Sequence, residues 1–224
     1  MRDILLASCP VMLWVITCVH VLFLVLLLRG YSRSKNLLYL LPALITFGLF
    51  YDSLVLALGG VLSESAFLKA ISQVRFISHG ALIPLIFPIC AIALNLKKIP
   101  KIVVFAITGV LIVLGIAEGF ATNLEVREVA GIVRYASSDL TPAWAKGVSS
   151  LLSYGTVVPL ILTGIYVWIK QKTPFLFLSG FLMFAFSALG PATGNMDLIF
   201  YISMFGEVLM VLFFFLYAKK TTKN

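Results

Sequence analysis

Seven apolar segments, each about as long as a helix that crosses a bilayer, constrain this chain more than any other feature. A helix needs about 20 apolar residues to span the hydrocarbon core. The candidate spans are residues 4–28, 37–60, 73–96, 102–122, 148–169, 174–193 and 197–218. The chain is 61% hydrophobic and 12% charged, which is more apolar surface than a soluble core of this size can bury. The sequence therefore predicts an all-α polytopic membrane protein, with residues 1–224 forming a single bundle of seven transmembrane helices.

The loops between these spans differ in charge, and the difference predicts an orientation. Alternate loops carry eleven basic and no acidic residues, namely Arg29, Arg33, Lys35, Lys97, Lys98, Lys101, Lys170, Lys172, Lys219, Lys220 and Lys223. The opposite loops mix both signs. Because cytoplasmic loops are enriched in Lys and Arg, we expect the N-terminus outside and the C-terminus in the cytoplasm of a cell membrane. The basic residues form short clusters between apolar runs, so the net charge of +8 does not indicate a nucleic-acid partner.

The longest loop, residues 123–147, falls on the predicted outer side. Its stretch from Val126 to Tyr135 alternates roughly between apolar and polar residues and is interrupted by Gly131. Such a pattern is compatible with a short β-hairpin lying over the mouth of the bundle. A surface helix and an irregular coil remain open at this point.

Ionisable residues inside the spans are the strongest indication of function, because each costs about 2.5–3.5 kcal/mol to insert at the centre of a membrane helix. They are His20, Asp52, Arg75, His79, Glu118 and Glu207. Counted from the predicted span ends, all except His20 lie at mid-membrane or in the outer half. His20 lies in the inner half, where we expect a structural role. The others predict a polar pocket that opens to the outside.

Helical spacing suggests how the pocket is built. Arg75 and His79 are four residues apart and share a helix face, as do Ser203 and Glu207. Asp52 requires a partner, and Arg75 is the nearest cation in depth, so we expect these two to form an ion pair. His79 and Glu207 are predicted to contact the ligand or handle protons. Glu118, Tyr51, Tyr154 and Asn195 are predicted to be additional ligand-binding or proton-handling groups.

Each of these assignments has a structural alternative. Arg75 can reach the lipid headgroups by extending its side chain. Glu118 can be solvated near the interface, and His79 can be a hydrogen-bonded packing residue.

Several cofactor chemistries find little support. The seven-helix topology resembles that of microbial rhodopsins, but residues 197–218 contain no lysine to form a retinal Schiff base, and Glu207 lies at the comparable depth. One histidine among the pocket carboxylates is few for zinc, and the chain has no HExxH motif. We therefore expect no cofactor and no metal, and no catalytic residue can be named.

The favoured function is binding of a small or amphipathic molecule in the outer pocket, with transport as its extension. The alternatives are an intramembrane enzyme, hydrolytic or metal-dependent, acting on a lipid-like substrate, and a seven-helix sensor without retinal. A sensor would need a partner protein, because the inner loops are only about four to eight residues long. In every case membrane lipids surround the protein and its ligand is small or lipid-like.

Overall fold

The structure is a computed structural model that describes the backbone of residues 2–192 and 196–223 and the side chains of residues 7–189 and 201–222. It is almost entirely helical. In chain order, its elements are α1 (Arg2–Ser34), α2 (Leu37–Leu58), α3 (Ala66–Leu82), a 3₁₀ turn (Ile83–Leu85), α4 (Ile86–Ala93), α5 (Lys98–Ala121), β1 (Leu124–Val129), β2 (Ile132–Ser137), α6 (Ala143–Gln171), α7 (Phe175–Ala192) and α8 (Met196–Lys223).

Within the described part of the chain, six helical segments are long and apolar enough to cross a membrane. They are Ala7–Ser34, Leu37–Leu58, Ala66–Ala93, Lys98–Ala121, Ala143–Gln171 and Tyr201–Thr222, and Phe175–Leu189 is a shorter apolar helix. Every predicted span therefore coincides with a helix. Their many exposed aliphatic and aromatic side chains, such as Val113 and Leu162, are suited to lipid rather than to water. The protein thus has a helical, membrane-embedded fold.

The helices form a ring in chain order. Each span packs against the next, from α1 and α2 through the broken third span to α5, α6, α7 and α8, and α8 closes the ring against α1 and α2. Short loops favour such neighbours, because they leave consecutive helices antiparallel and adjacent.

The two ends of the ring are distinct. Gln171 donates a hydrogen bond to the Ala93 carbonyl (3.1 Å), and Asn36 donates one to Thr222 (3.2 Å), so the basic loops meet at one end. We call this the basic end and the opposite end the hairpin end.

The third span begins earlier than predicted and is broken in the middle. Ser65 caps α3 by accepting a hydrogen bond from the Leu68 N–H (3.2 Å), so the helix starts at Ala66 rather than near residue 73. Pro84 has no N–H for the Gly80 carbonyl, and the chain passes through the 3₁₀ turn before α4. His79 consequently lies 13 residues into the span, about 20 Å from its start, and not within its first two turns.

The long loop is a β-hairpin, which settles the alternatives left open by its sequence. Strands β1 and β2 pair antiparallel through the two-residue loop Ala130-Gly131, and both loop residues have positive φ (54° and 74°). Such a loop matches the twist of the flanking strands. The Val133 N–H donates to the Gly59 carbonyl (2.9 Å), and the Tyr135 hydroxyl donates to the Ser65 carbonyl (3.3 Å). The hairpin is therefore held against the ends of α2 and α3.

Two glycines allow α3 and α5 to touch backbone to backbone. A Cβ on Gly80 would overlap the backbone of Gly115, and a Cβ on Gly115 would overlap that of Gly80. Small residues permit this approach between membrane helices. The contact fixes the position of His79, which precedes Gly80 in the chain.

Candidate functional site

The predicted ion pair between α2 and α3 is present. Arg75 Nη1 lies 3.3 Å from Asp52 Oδ1, and the two side chains retain only 12% and 15% of their accessible surface. Each of these poorly solvated charges needs an opposite charge beside it inside the protein. This requirement explains why Asp52 and Arg75 lie at the same depth.

Arg75 has further partners that restrain its guanidinium group. Its Nη2 donates to the Tyr135 carbonyl of β2 (3.0 Å), and its guanidinium carbon lies 4.8 Å from the centre of the Phe76 ring. The side chain therefore points toward the hairpin rather than simply extending to lipid headgroups. Asp52, Arg75 and Tyr135 connect α2, α3 and the hairpin into one unit.

The bundle encloses a cavity of about 330 Å³ beside this unit. Its polar lining consists of His79, Ser153, Tyr154, Thr156, Ser187, Ser203 and Glu207. Its apolar lining consists of Ile45, Leu49, Ile83, Ile86, Val157, Met183, Phe184 and Met210. This mixture, with a few polar groups on an apolar wall, is typical of a small-molecule site.

Glu207 is the carboxylate of the cavity. It retains 6% of its accessible surface, and its Oε2 has no hydrogen-bond partner among the described residues. Ser203 lines the cavity one turn earlier on the same face of α8, as its spacing predicted. A buried carboxylate oxygen without a partner is costly, so the site requires a proton, a water molecule or a ligand there.

His79 of α3 lines the same cavity as Glu207. Its ring keeps accessible surface although it lies deep in the bundle, because it borders the cavity. Asp52 and Arg75 do not line the cavity, yet both lie within electrostatic range of His79 and Glu207. The structure thus brings four predicted site residues into one neighbourhood, two as a paired unit and two on the cavity wall.

The cavity opens on the side of the bundle between α6 and α7. These helices pack tightly nearer the basic end, where a Cβ on Gly180 would come within 3.0 Å of Leu160. Toward the hairpin end the cavity lies between them, and two of its lining residues are exposed, Tyr154 by 69% and Phe184 by 44%. An aromatic pair therefore flanks an opening on the apolar flank of the bundle.

Glu118 occupies a separate, smaller space. It accepts a hydrogen bond from Thr122 (3.2 Å) and is 6% exposed, so it is not solvated as the alternative for it supposed. A cavity of about 30 Å³ lies between α3, α5 and α6 and is lined by Glu118, Ser149 and His79. His79 borders both cavities and separates Glu118 from the larger one.

The three remaining predicted site residues, Tyr154, Tyr51 and Asn195, have different outcomes. Tyr154 lines the cavity at its opening. Tyr51 does not line it, because its hydroxyl donates to the Ile71 carbonyl (3.0 Å) and joins α2 to α3. Asn195 lies outside the described residues.

Sequence reasoning placed His20 apart from the polar groups, and this was wrong. His20 is fully buried, and its Nδ1 lies 3.3 Å from the hydroxyl of Ser53, which follows Asp52 in α2. The depth count failed because α1 runs from Arg2 to Ser34, beyond both ends of the predicted span. Ser187 and Thr156 were also missed, since single hydroxyls in apolar helices carry no sequence signal of their own.

Among the residues that the structure describes, no three His, Cys, Asp or Glu side chains are grouped so that they could hold a metal ion. No protein-family model matches the sequence, and comparison with curated proteins finds no significant match.

Proposed function

We propose that this protein binds a small amphipathic molecule in the cavity around Glu207 and His79. We propose transport of the bound molecule as a second step that depends on this binding. The observation that supports the proposal is the mixed cavity wall, whose polar part includes the Glu207 carboxylate oxygen that has no partner in the described part of the chain. The side opening flanked by Tyr154 and Phe184 favours a ligand dissolved in the membrane. An apolar body would contact the aliphatic wall, and a polar head would reach Glu207.

The orientation belongs to the same proposal. We infer that all seven helices cross the cytoplasmic membrane of the cell, with the basic end inside and the hairpin end outside. The cavity then lies near the middle of the membrane, because His79 and Glu207 are 13 and 11 residues from the outer ends of their helical segments. Labelling of Lys146→Cys, but not of Lys98→Cys, by a membrane-impermeant maleimide in intact cells tests this orientation, and the reverse pattern contradicts it.

Filling the cavity tests the binding proposal. The neutral amphipathic fluorophore N-phenyl-1-naphthylamine is titrated into protein in lipid nanodiscs, with empty nanodiscs subtracted. Ser187→Trp places an indole inside the cavity, whereas Ala188→Trp on the same helix points outward and is the matched control. We expect the protein-dependent fluorescence to be lost in Ser187→Trp and kept in Ala188→Trp. Equal signals from both variants would contradict binding in this cavity.

Intramembrane hydrolysis is a second candidate, favoured by the presence of His79 and the hydroxyls of Ser153 and Ser203 on one cavity wall. A serine activated by His79 would react with a lipophilic fluorophosphonate probe. Labelling that disappears in Ser153→Ala or Ser203→Ala, and in His79→Ala, would establish this function in place of simple binding. A protein that stays unlabelled would exclude it.

A further inference from the structure

We propose that the ligand of the cavity is an amphipathic cation, which binds to the Glu207 carboxylate in exchange for its proton. The inference rests on the proposed binding function and adds the charge of the ligand to it. It follows from the charge balance around Glu207 and from the aromatic groups at the opening.

Charge balance is the first step. The ionisable groups at the site are Asp52, Arg75, His79 and Glu207. Asp52 and Arg75 neutralise each other at 3.3 Å, and the guanidinium of Arg75 is further held by the Tyr135 carbonyl. An ionised Glu207 then adds a negative charge that no Lys or Arg among the described lining residues compensates, in a poorly solvated space. Such a charge is stable only when a proton or another cation neutralises it.

The second step concerns which cations can neutralise Glu207. Of the described residues that line the cavity, none is Lys or Arg, so the protein itself provides no permanent cation there. A hydrated inorganic ion would have to lose its water in a cavity whose exposed surface is predominantly apolar and whose lining has Glu207 as its one carboxylate among the described residues. An organic cation is weakly hydrated, and its apolar groups can contact Ile83, Ile86 and Met210. The wall therefore favours an organic cation over a metal ion.

The aromatic opening favours the same ligand class. Tyr154 and Phe184 present large exposed rings where the cavity meets the apolar flank of the bundle. Aromatic faces attract organic cations, by about 0.5–2 kcal/mol per contact depending on solvation. A lipophilic cation can therefore be held at the opening before it reaches Glu207.

The exchange conserves atoms and charge. The protonated Glu207 carboxyl loses its O–H proton to water, and the cation takes its place beside the carboxylate without forming a covalent bond. Lowering the pH reverses the exchange, because protons compete for the same oxygen. The other charged or titratable groups near Glu207 do not change this direction, since a proton on His79 would also repel the cation, and Asp52 and Arg75 are paired with each other.

A matched pair of probes tests the inference. Tetraphenylphosphonium and tetraphenylborate have nearly the same shape and apolarity but opposite charge. Their binding to protein in nanodiscs is measured by equilibrium dialysis, with empty nanodiscs subtracted. We expect saturable binding of the cation only, and binding should become about tenfold weaker for each unit by which the pH is lowered once Glu207 is mostly protonated. In weakly buffered solution about one proton should be released per cation bound.

Substitutions then assign the effect to one carboxylate. Glu207→Gln keeps the shape of the side chain but cannot ionise, so cation binding should fall to the level of empty nanodiscs and proton release should disappear. Glu125→Gln on the exposed hairpin removes a carboxylate outside the cavity and should bind like the native protein. Equal binding by Glu207→Gln, or equal binding of tetraphenylborate, would overturn the inference.

The outcomes separate this inference from the proposed function. One outcome is that tetraphenylphosphonium fails to bind while N-phenyl-1-naphthylamine binds to the native protein and not to the Ser187→Trp variant. In that case the cavity is a ligand site and only the charge assignment is wrong. If Ser187→Trp changes the binding of neither probe, the cavity is not the ligand site and the proposed function is wrong as well.

Discussion

Asp52 and Glu207 are both carboxylates buried in the bundle, yet their surroundings differ completely. Asp52 lies 3.3 Å from the guanidinium of Arg75, which also binds the hairpin through the Tyr135 carbonyl. Glu207 lies on the wall of a cavity, and one of its oxygens has no partner among the described residues. The first carboxylate is part of a structural unit that joins two helices and a hairpin. The second is available to a proton or a ligand.

The difference indicates how a membrane protein can carry charge for two purposes. A buried pair is stable only while both partners are present, so it suits a fixed structure. An unpaired carboxylate is stable when protonated and when paired with a ligand, so it suits exchange. Substitutions at the two positions should therefore have opposite consequences for stability and for binding.

The largest effect is expected from Arg75→Met. It leaves Asp52 buried without a counter-charge and removes the hydrogen bond to Tyr135, so unfolding should become easier by about 3–5 kcal/mol. Unfolding in detergent can be followed with a thiol-reactive dye, because Cys9 and Cys90 are buried in the native state. The double variant Asp52→Asn with Arg75→Met should recover part of the loss. No recovery would show that the two charges are not coupled.

Gly80→Val should have the next largest effect, about 1–3 kcal/mol, since its side chain would push α3 away from Gly115. His79 would shift relative to Glu207, while the Asp52–Arg75 pair would stay connected. We therefore expect weaker binding of N-phenyl-1-naphthylamine together with an intact ion pair. Gly109→Val on α5, where the added side chain meets nothing within 4 Å, is the matched control and should bind normally.

A smaller effect on stability is expected from Glu207→Gln. The amide cannot ionise, so no charge needs to be neutralised in the cavity, and the free energy of unfolding should change by less than about 1 kcal/mol. Tetraphenylphosphonium binding should nevertheless be lost. A loss of stability as large as that of Arg75→Met would mean that Glu207 is also part of the structural framework, and the comparison between the two carboxylates would fail.

The smallest effect is expected from Glu125→Gln. Glu125 accepts hydrogen bonds from Arg127 in the same strand, at 2.6 and 2.8 Å, but both side chains are largely exposed. Water and salt screen such a pair, so removing it should change stability by no more than about 0.5 kcal/mol. A change of more than about 1 kcal/mol in the same unfolding assay would show that the hairpin surface contributes more than exposed ion pairs usually do.

The composition and the length of the apolar segments by themselves determined the helical, membrane-embedded fold and the approximate positions of its helices along the chain. Their signal is local, because a helix in lipid must satisfy its own backbone hydrogen bonds. The pairing of Asp52 with Arg75 was also predictable, since a buried charge demands a partner at its own depth. By contrast, the register of His20 could not be predicted, because α1 continues as a helix into polar residues on both sides of the counted span, from Arg2 to Ser34.

Only the tertiary structure decided which polar groups share a space. The hydroxyls of Ser187 and Thr156 come together with Glu207 because α6 and α7 separate toward the hairpin end, and no local pattern encodes that separation. Tyr51, adjacent to Asp52 in the chain, faces the Ile71 carbonyl instead of the cavity. Where helices cross depends on side chains from several distant segments. The cavity therefore appears only when the whole ring is assembled.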